Sequence, residues 1–170
     1  MTLNPRQFDP GENPDQLQLL MKPSEIINRL HGFYDDKDGD TWNDITPERY
    51  AVSDLHKHKL AEAEAHGTAD SIRKEGVLKP VVLMPPKARD ILDPVNKELS
   101  RTRHFMLGNG HHRLAVAFDM EQQGSDIHIP VLHDRYIRAD DRQEVERTGT
   151  PQDLAEYDRN HGVIARRPGK

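Results

Sequence analysis

With 170 residues, 34% of them hydrophobic and 31% charged, the chain has length for one modest core beneath a wet surface. A formal charge of −5 argues against a protein that coats nucleic acid through bulk electrostatics, because phosphate binding draws on clustered Lys and Arg. The absence of cysteine excludes disulfide frameworks, thiolate zinc sites and cysteine nucleophiles, while the lack of any run near ~18 apolar residues and of a signal-peptide pattern predicts a soluble, cytoplasmic protein with no membrane partner.

Residues 1–16 are polar and rich in Pro and Gly, with no apolar period, and read as a tail or extended arm. From Leu17, "LQLLMKPSEIINRL" carries a helical pattern in which Pro23-Ser24-Glu25 starts a helix with Ile26, Ile27 and Leu30 on one side. "HGFYDDKDGDTWND" breaks that pattern with glycines and aspartates and reads as a loop. Over residues 45–66 the sequence predicts one helix after Pro47 and another through residues 60–65, with a thin apolar face. In "GTADSIRKEGVLKPVVLMPP", Thr68 can cap a short helix through Ile72 and Glu75, and Gly76 can end it. Val77-Leu78 and residues 81–84 then read as a strand around Pro80.

A polar connection, with a short strand expected at Ile91-Leu92, delivers the chain to the strand "HFML". After Gly108-Asn109-Gly110, Leu114, Ala117 and Phe118 recur at helical spacing, predicting a helix over residues 112–123 with Gly124 as its stop. Ile127, Ile129 and Val131 alternate as one strand face, and Pro130 suggests an edge or end position. From Asp134 onward basic and acidic residues balance, which predicts a solvated segment with a helix near Pro151 to Tyr157. The expected organisation is an arm with a short helix over 1–45, an α/β domain over 46–134 with a small mixed sheet flanked by helices, and a polar, partly helical tail over 135–170.

The stretch "LGNGHHRLAVA" carries the most chemistry. If Gly110 ends a strand and His111-His112-Arg113 open a helix, unpaired backbone N–H groups, the positive end of the helix dipole and side-chain cations converge on one point. Arg113 adds a planar fork suited to phosphate oxygens. The plainer reading is a glycine turn followed by surface histidines. A metal held by His111 and His112 together is disfavoured, because adjacent helix residues point about 100° apart. "YDDKDGDTWNDI" places Asp36, Asp38, Gly39 and Asp40 as in a calcium loop, but Tyr34 and Ile45 occupy the two anchoring positions, so a solvated acidic turn is expected. His56 and His58, set among lysines, read as charged surface, and Trp42 and Tyr50 as packing for the arm.

"TADSIRKEGVLKPVVL", followed by "LGNGHHRLAVA", resembles the ParB/sulfiredoxin superfamily over about residues 50–134, in particular the short ParB-like nuclease-domain proteins of bacteriophages and actinobacteria. The ParB motif Gly-Glu-Arg-Arg-x-Arg-Ala falls on Gly110-His111-His112-Arg113-Leu114-Ala115-Val116, matching at Gly110 and Arg113. The sulfiredoxin motif Gly-Gly-Cys-His-Arg falls on Asn109-Gly110-His111-His112-Arg113, so His112 and Arg113 match the phosphate-binding pair and His111 replaces the catalytic cysteine. Sulfiredoxin chemistry is thereby excluded. Asn109 also replaces the aspartate of the superfamily's free-serine kinases, and of the upstream helix motif only Ser71-Ile72 carries over. The residues beyond 134 are too few and too polar for the further domains of partition-type ParB proteins.

The resemblance implies a ParB/sulfiredoxin-like fold that binds a nucleoside triphosphate, CTP or ATP, with or without Mg2+. Gly110, His112 and Arg113 would hold the phosphates, with Ser71, Asn109 and Lys79 closing the pocket. His111 is the expected proton-transfer group for phosphoanhydride or phosphodiester hydrolysis or phosphate transfer. Two alternatives stand beside it: a DNA-binding protein or nuclease of the ParB-like type, and a non-enzymatic phage adaptor that binds a host protein.

Overall fold

The computed structural model describes residues 2–3, 16–35, 40–43, 46–94, 103, 105–134, 137 and 139–161. In chain order the elements are β1 (Thr2–Leu3), β2 (Gln16–Met21), α1 (Pro23–Arg29), β3 (Leu30–Asp35), β4 (Asp40–Asn43), α2 (Pro47–Ala51), α3 (Asp54–Ala65) and α4 (Thr68–Glu75). They continue through β5 (Val81–Met84), α5 (Ala88–Leu92), β6 (Phe105–Asn109), α6 (His111–Gln122), β7 (Ile129–Asp134), α7 (Ala139–Thr148) and α8 (Pro151–His161). The strands form one mixed sheet in the order β1-β2-β7-β5-β6-β3-β4. Pairing is parallel for β3 with β6 and for β5 with β7, and antiparallel elsewhere.

The centre of the molecule is α6. It connects β6 to β7 while β5 lies between those two strands, so the helix must pass over the sheet. Leu114, Ala115, Val116, Ala117 and Phe118 are all buried, because α6 packs against α1, α3 and α4 as well as against β5. A helix enclosed on several sides needs apolar residues around most of its girth. Its main cluster joins Leu114, Ala117 and Phe118 to Met21, Ile27, Phe33, Leu83 and Val131, and a smaller one sets Val116 against Ala63, Ala69 and Ile72 of α3 and α4.

Aromatic rings fill the end of the main core. Phe33 stacks on Tyr50 with centroids 5.4 Å apart, Phe118 meets Tyr50 edge-on at 5.0 Å, and the His56 ring lies 4.7 Å from Tyr50. Each such pair contributes about 0.5–1.5 kcal/mol beyond the area it buries. Tyr50, expected from sequence to help pack the arm, does meet Phe33 of that segment, within the main core, and its burial drives the phenol pKa upward. His56 is buried in the same cluster, contrary to the charged-surface reading, whereas His58 is exposed.

A long-range cap joins α1 to α6. The Glu121 carboxylate accepts from the Ser24 backbone N–H at 2.9 Å and from Ser24 Oγ at 2.7 Å. Lys22 at the N-cap supplies no side-chain acceptor, so a residue 97 positions away satisfies the orphan donor instead.

The α/β class with a mixed sheet agrees with expectation, but the proposed boundaries do not. Leu17 begins no helix: Gln16, Leu17, Gln18 and Leu19 alternate with the period of a strand, and β2 pairs with β7 along its whole length. The expected loop around "HGFYDDKDGDTWND" contains β3 and β4, with Phe33 opposite Trp42. Residues 36–39, which carry most of the calcium-like pattern, lie outside the described residues, as do 4–15. The segment assigned to an arm therefore supplies four strands to the sheet.

Other local expectations change for physical reasons. Thr68 is the first residue of α4 instead of its cap, since Gly67 takes the N-cap with φ 76°. The strand starts at Val81, after Pro80, and does not include Val77-Leu78. Ile91-Leu92 lie in α5, which turns these residues toward a third apolar cluster. Pro130 sits in an interior strand, opposite Leu20; the pairing with β5 begins only at Val131, so the missing N–H costs no ladder bond on that side. The helix expected near Pro151 forms as α8, but the tail is packed where a solvated segment was expected: α7 and α8 bring Val145, Leu154 and Tyr157 against Ala88, Ile91 and Leu92, and Tyr157 Oη donates to the Pro86 carbonyl at 2.8 Å. Residues 162–170 lie outside the described residues.

Two predictions follow from this packing. Glu121→Ala should destabilise the fold by about 1–3 kcal/mol, because it leaves a partly buried N–H and hydroxyl unsatisfied; a urea midpoint unchanged from wild type would refute the cap. For His56, burial lowers the pKa, with Asp119 opposing the shift, and Nδ1 has no hydrogen-bond partner. The unfolded chain therefore takes up that proton first, near pH ~6.5, and stability falls as pH drops below this value. Between pH 7 and 5 the wild type should lose more stability than His56→Phe, and equal losses would show that His56 does not contribute.

Candidate functional site

The corner between β6 and α6 has no room for a side chain. Gly110 has φ 100°, and a Cβ there would lie 2.7 Å from Val81 Cγ1 and 3.0 Å from Val81 Cα. Glycine alone tolerates both the dihedral and the contact. The strand can therefore turn directly into the helix against the start of β5.

From that corner the next three side chains diverge, as the ~100° step of an α-helix requires. The His111 ring lies 5.9 Å from the Phe33 ring, on the side of the aromatic cluster. His112 turns to α3, with Nε2 3.7 Å from Glu62 Oε1. Arg113 reaches back to the residue before β5: Nη1 donates to the Pro80 carbonyl at 2.7 Å and Nη2 to Asn109 Oδ1 at 3.3 Å. The expected cradle of Gly110, His112 and Arg113 around one anion is thus not assembled. Gly110 is buried against Val81, and His112 faces a carboxylate, which would repel phosphate.

Arg113 instead lines a cleft of about 400 Å³, within the range of small-molecule pockets of about 300–1,000 Å³. Two other residues singled out in the sequence, Ser71 and Lys79, line it as well. Neither Gly110, Asn109, His111 nor His112 does. The remaining polar lining comes from His66 and Thr68, at the junction of α3 and α4, which the sequence reading did not select. Their signal was the break "AHGT" itself: a glycine that stops one helix and starts the next places both neighbours at a helix end.

The cleft is electropositive. Its lining includes Lys79 and Arg113 but no Asp or Glu. Outside the lining, Arg73 pairs with Glu64 and lies 3.8 Å from Asp70. Burial lowers the pKa of the Arg113 guanidinium below its ordinary value, the signature of a cation held partly out of water. Only two of its five N–H groups are used by Pro80 and Asn109. Helix α4, which contributes Thr68, Ser71 and Ile72 to the lining, starts at Gly67 with no side-chain cap hydrogen bond.

Among the described residues no group of three or more His, Asp or Glu is placed to hold a metal ion. No described helix is long and apolar enough to cross a membrane. Comparisons of the chain with protein-family models, with curated proteins and with solved structures find no match.

The corner itself is testable. Gly110→Ala should cost at least about 1–3 kcal/mol from the backbone conformation alone, with further loss from the Val81 contact. Thermal denaturation would detect this as a markedly lowered midpoint, whereas Gly67→Ala, where a Cβ meets nothing within 4 Å, should show only the dihedral cost.

Proposed function

We propose that this chain binds a nucleotide through its phosphates, as its likeness to the ParB/sulfiredoxin superfamily implies, in the cleft between α4 and Arg113. The observation that carries the reading is charge: Lys79 and Arg113 line the cleft with no carboxylate beside them. A dianionic or more highly charged group entering there would restore to Arg113 the solvation that burial removes, and would take the guanidinium donors left over from Pro80 and Asn109. Ser71 and Thr68 add hydroxyl donors to the same lining.

The phosphate-binding set is thereby revised to Arg113, Lys79 and Ser71 with Thr68. Asn109 acts indirectly, by orienting the Arg113 fork. His111 is replaced by His66 as the imidazole available for proton transfer, should the bound nucleotide be hydrolysed or its phosphate transferred. Because the lining holds no carboxylate, a Mg2+ arriving with CTP or ATP would be carried by the phosphate oxygens. The DNA-binding and nuclease reading draws no support from a chain of formal charge −5.

Calorimetry with CTP, ATP and GTP, each with and without Mg2+, tests the reading directly. Lys79→Ala should weaken binding about tenfold or more, the scale of one hydrogen bond to a charged group. Arg113→Lys should also weaken it, because a point charge does not replace the fork. His111→Ala should leave affinity unchanged. Failure of every nucleotide to bind the wild type removes the proposal.

A further inference from the structure

The cleft has a second chemical character beside its charge. Ile72, Val77 and Leu78 also line it, next to Lys79 on the chain. Val77 packs against both principal cores, and Ile72 is buried, so these two form a fixed floor. Leu78 differs: it is 66% exposed, one of two large hydrophobic residues so described. A lone surface leucine carries no meaning. This one stands on a pocket wall beside two further apolar residues and one position from a cation.

The segment that carries it is tethered at both ends. The Gly76 N–H donates to the Ile72 carbonyl at 2.7 Å, closing α4, and Pro80 accepts from Arg113 at 2.7 Å. At the first of these anchors Gly76 adopts φ 77° and ψ −176°, a conformation open essentially only to glycine, which takes the chain out of the helix, and Val77 packs inward. The exposed leucine is therefore held in place by its neighbours before any ligand arrives, which lowers the ordering cost of binding.

We infer that Leu78, with Val77 and Ile72 behind it, is a specificity ledge that makes the cleft select organic phosphates over inorganic ones, the base or sugar of the nucleotide lying on the ledge while its phosphates meet Lys79 and Arg113. This rests on the nucleotide reading above and adds to it the residue that distinguishes nucleotide from polyphosphate. Aliphatic side chains offer the flat face of a base apolar contact without a hydrogen-bond pattern, so the ledge discriminates poorly among bases. Polyphosphate has nothing to place there. It leaves Leu78 in water.

Titration of the full chain with CTP, ATP and sodium tripolyphosphate, for the wild type and for Leu78→Ser, Leu78→Met and Lys79→Ala, tests the inference. The wild type is expected to bind both nucleotides more tightly than tripolyphosphate. Leu78→Ser should reduce nucleotide affinity about tenfold, the scale of one leucine's burial, with tripolyphosphate unchanged. Leu78→Met should retain the preference, and Lys79→Ala should weaken all three ligands. Since Leu78 is mostly exposed, thermal midpoints of its variants should stay near wild type. Tripolyphosphate binding as tightly as nucleotide, or a Leu78→Ser loss equal for both classes, overturns the ledge and leaves the anion site standing. Absence of binding by all three ligands removes both.

Discussion

The arrangement depends on the space that Gly110 leaves empty. Because no Cβ stands between the β6–α6 corner and Val81, α6 can begin hard against β5, and every later position on the helix is fixed by that start. Leu114, Ala117 and Phe118 then fall on the main core, Val116 on α3 and α4, and Glu121 on the first turn of α1. Arg113, one turn from the corner, is brought within reach of the Pro80 carbonyl. The same close approach that packs the core thus aims a guanidinium at the loop preceding β5.

That aim separates two roles that the sequence compresses into one motif. Four adjacent residues, Gly110 to Arg113, look like a single cradle when written in a line, yet a helix rotates by ~100° at each step. The glycine serves the backbone, His111 faces the aromatic core, His112 faces Glu62, and Arg113 alone serves the cleft. The other polar residues there come from a different part of the chain, Ser71 on α4 and Lys79 in the α4–β5 loop.

What was legible in the sequence followed the strength of local signals. Pro23, Pro47, Gly76 and Gly124 mark helix ends that depend on backbone dihedrals, and the corresponding helices lie where those residues put them. Strands β3 and β4 were hidden because the aspartates and glycine that run between them in sequence signal a turn, while pairing to β6 and across Phe33–Trp42 supplies the stabilisation. The packing of α7 and α8 was hidden for a related reason, although a helix near Pro151 was expected. Their apolar residues are few, Val145, Leu154 and Tyr157, and balanced charge conceals them until α5 provides a surface to meet. His56 shows the converse: its place in a run that alternates histidine with lysine suggests solvent, but its own face of α3 meets Tyr50 and Phe118.

The division of labour in the cleft explains why one wall could be read and the other could not. Cations and hydroxyls announce themselves by residue type, so Ser71, Lys79 and Arg113 stand out in a linear sequence. Leucine, valine and isoleucine are the default residues of a core, and "GVLKPVVL" reads as the edge of a strand. The loop from Gly76 to Pro80 stays out of β5, with a positive φ at Gly76 and the Pro80 carbonyl bound by Arg113, and Leu78 is exposed beside Lys79. In the proposed site an apolar residue serves as a ligand contact because it is withheld from the sheet. The arginine assigned to the phosphates also holds the residue before β5, so the polar and apolar halves of the proposed site share one side chain.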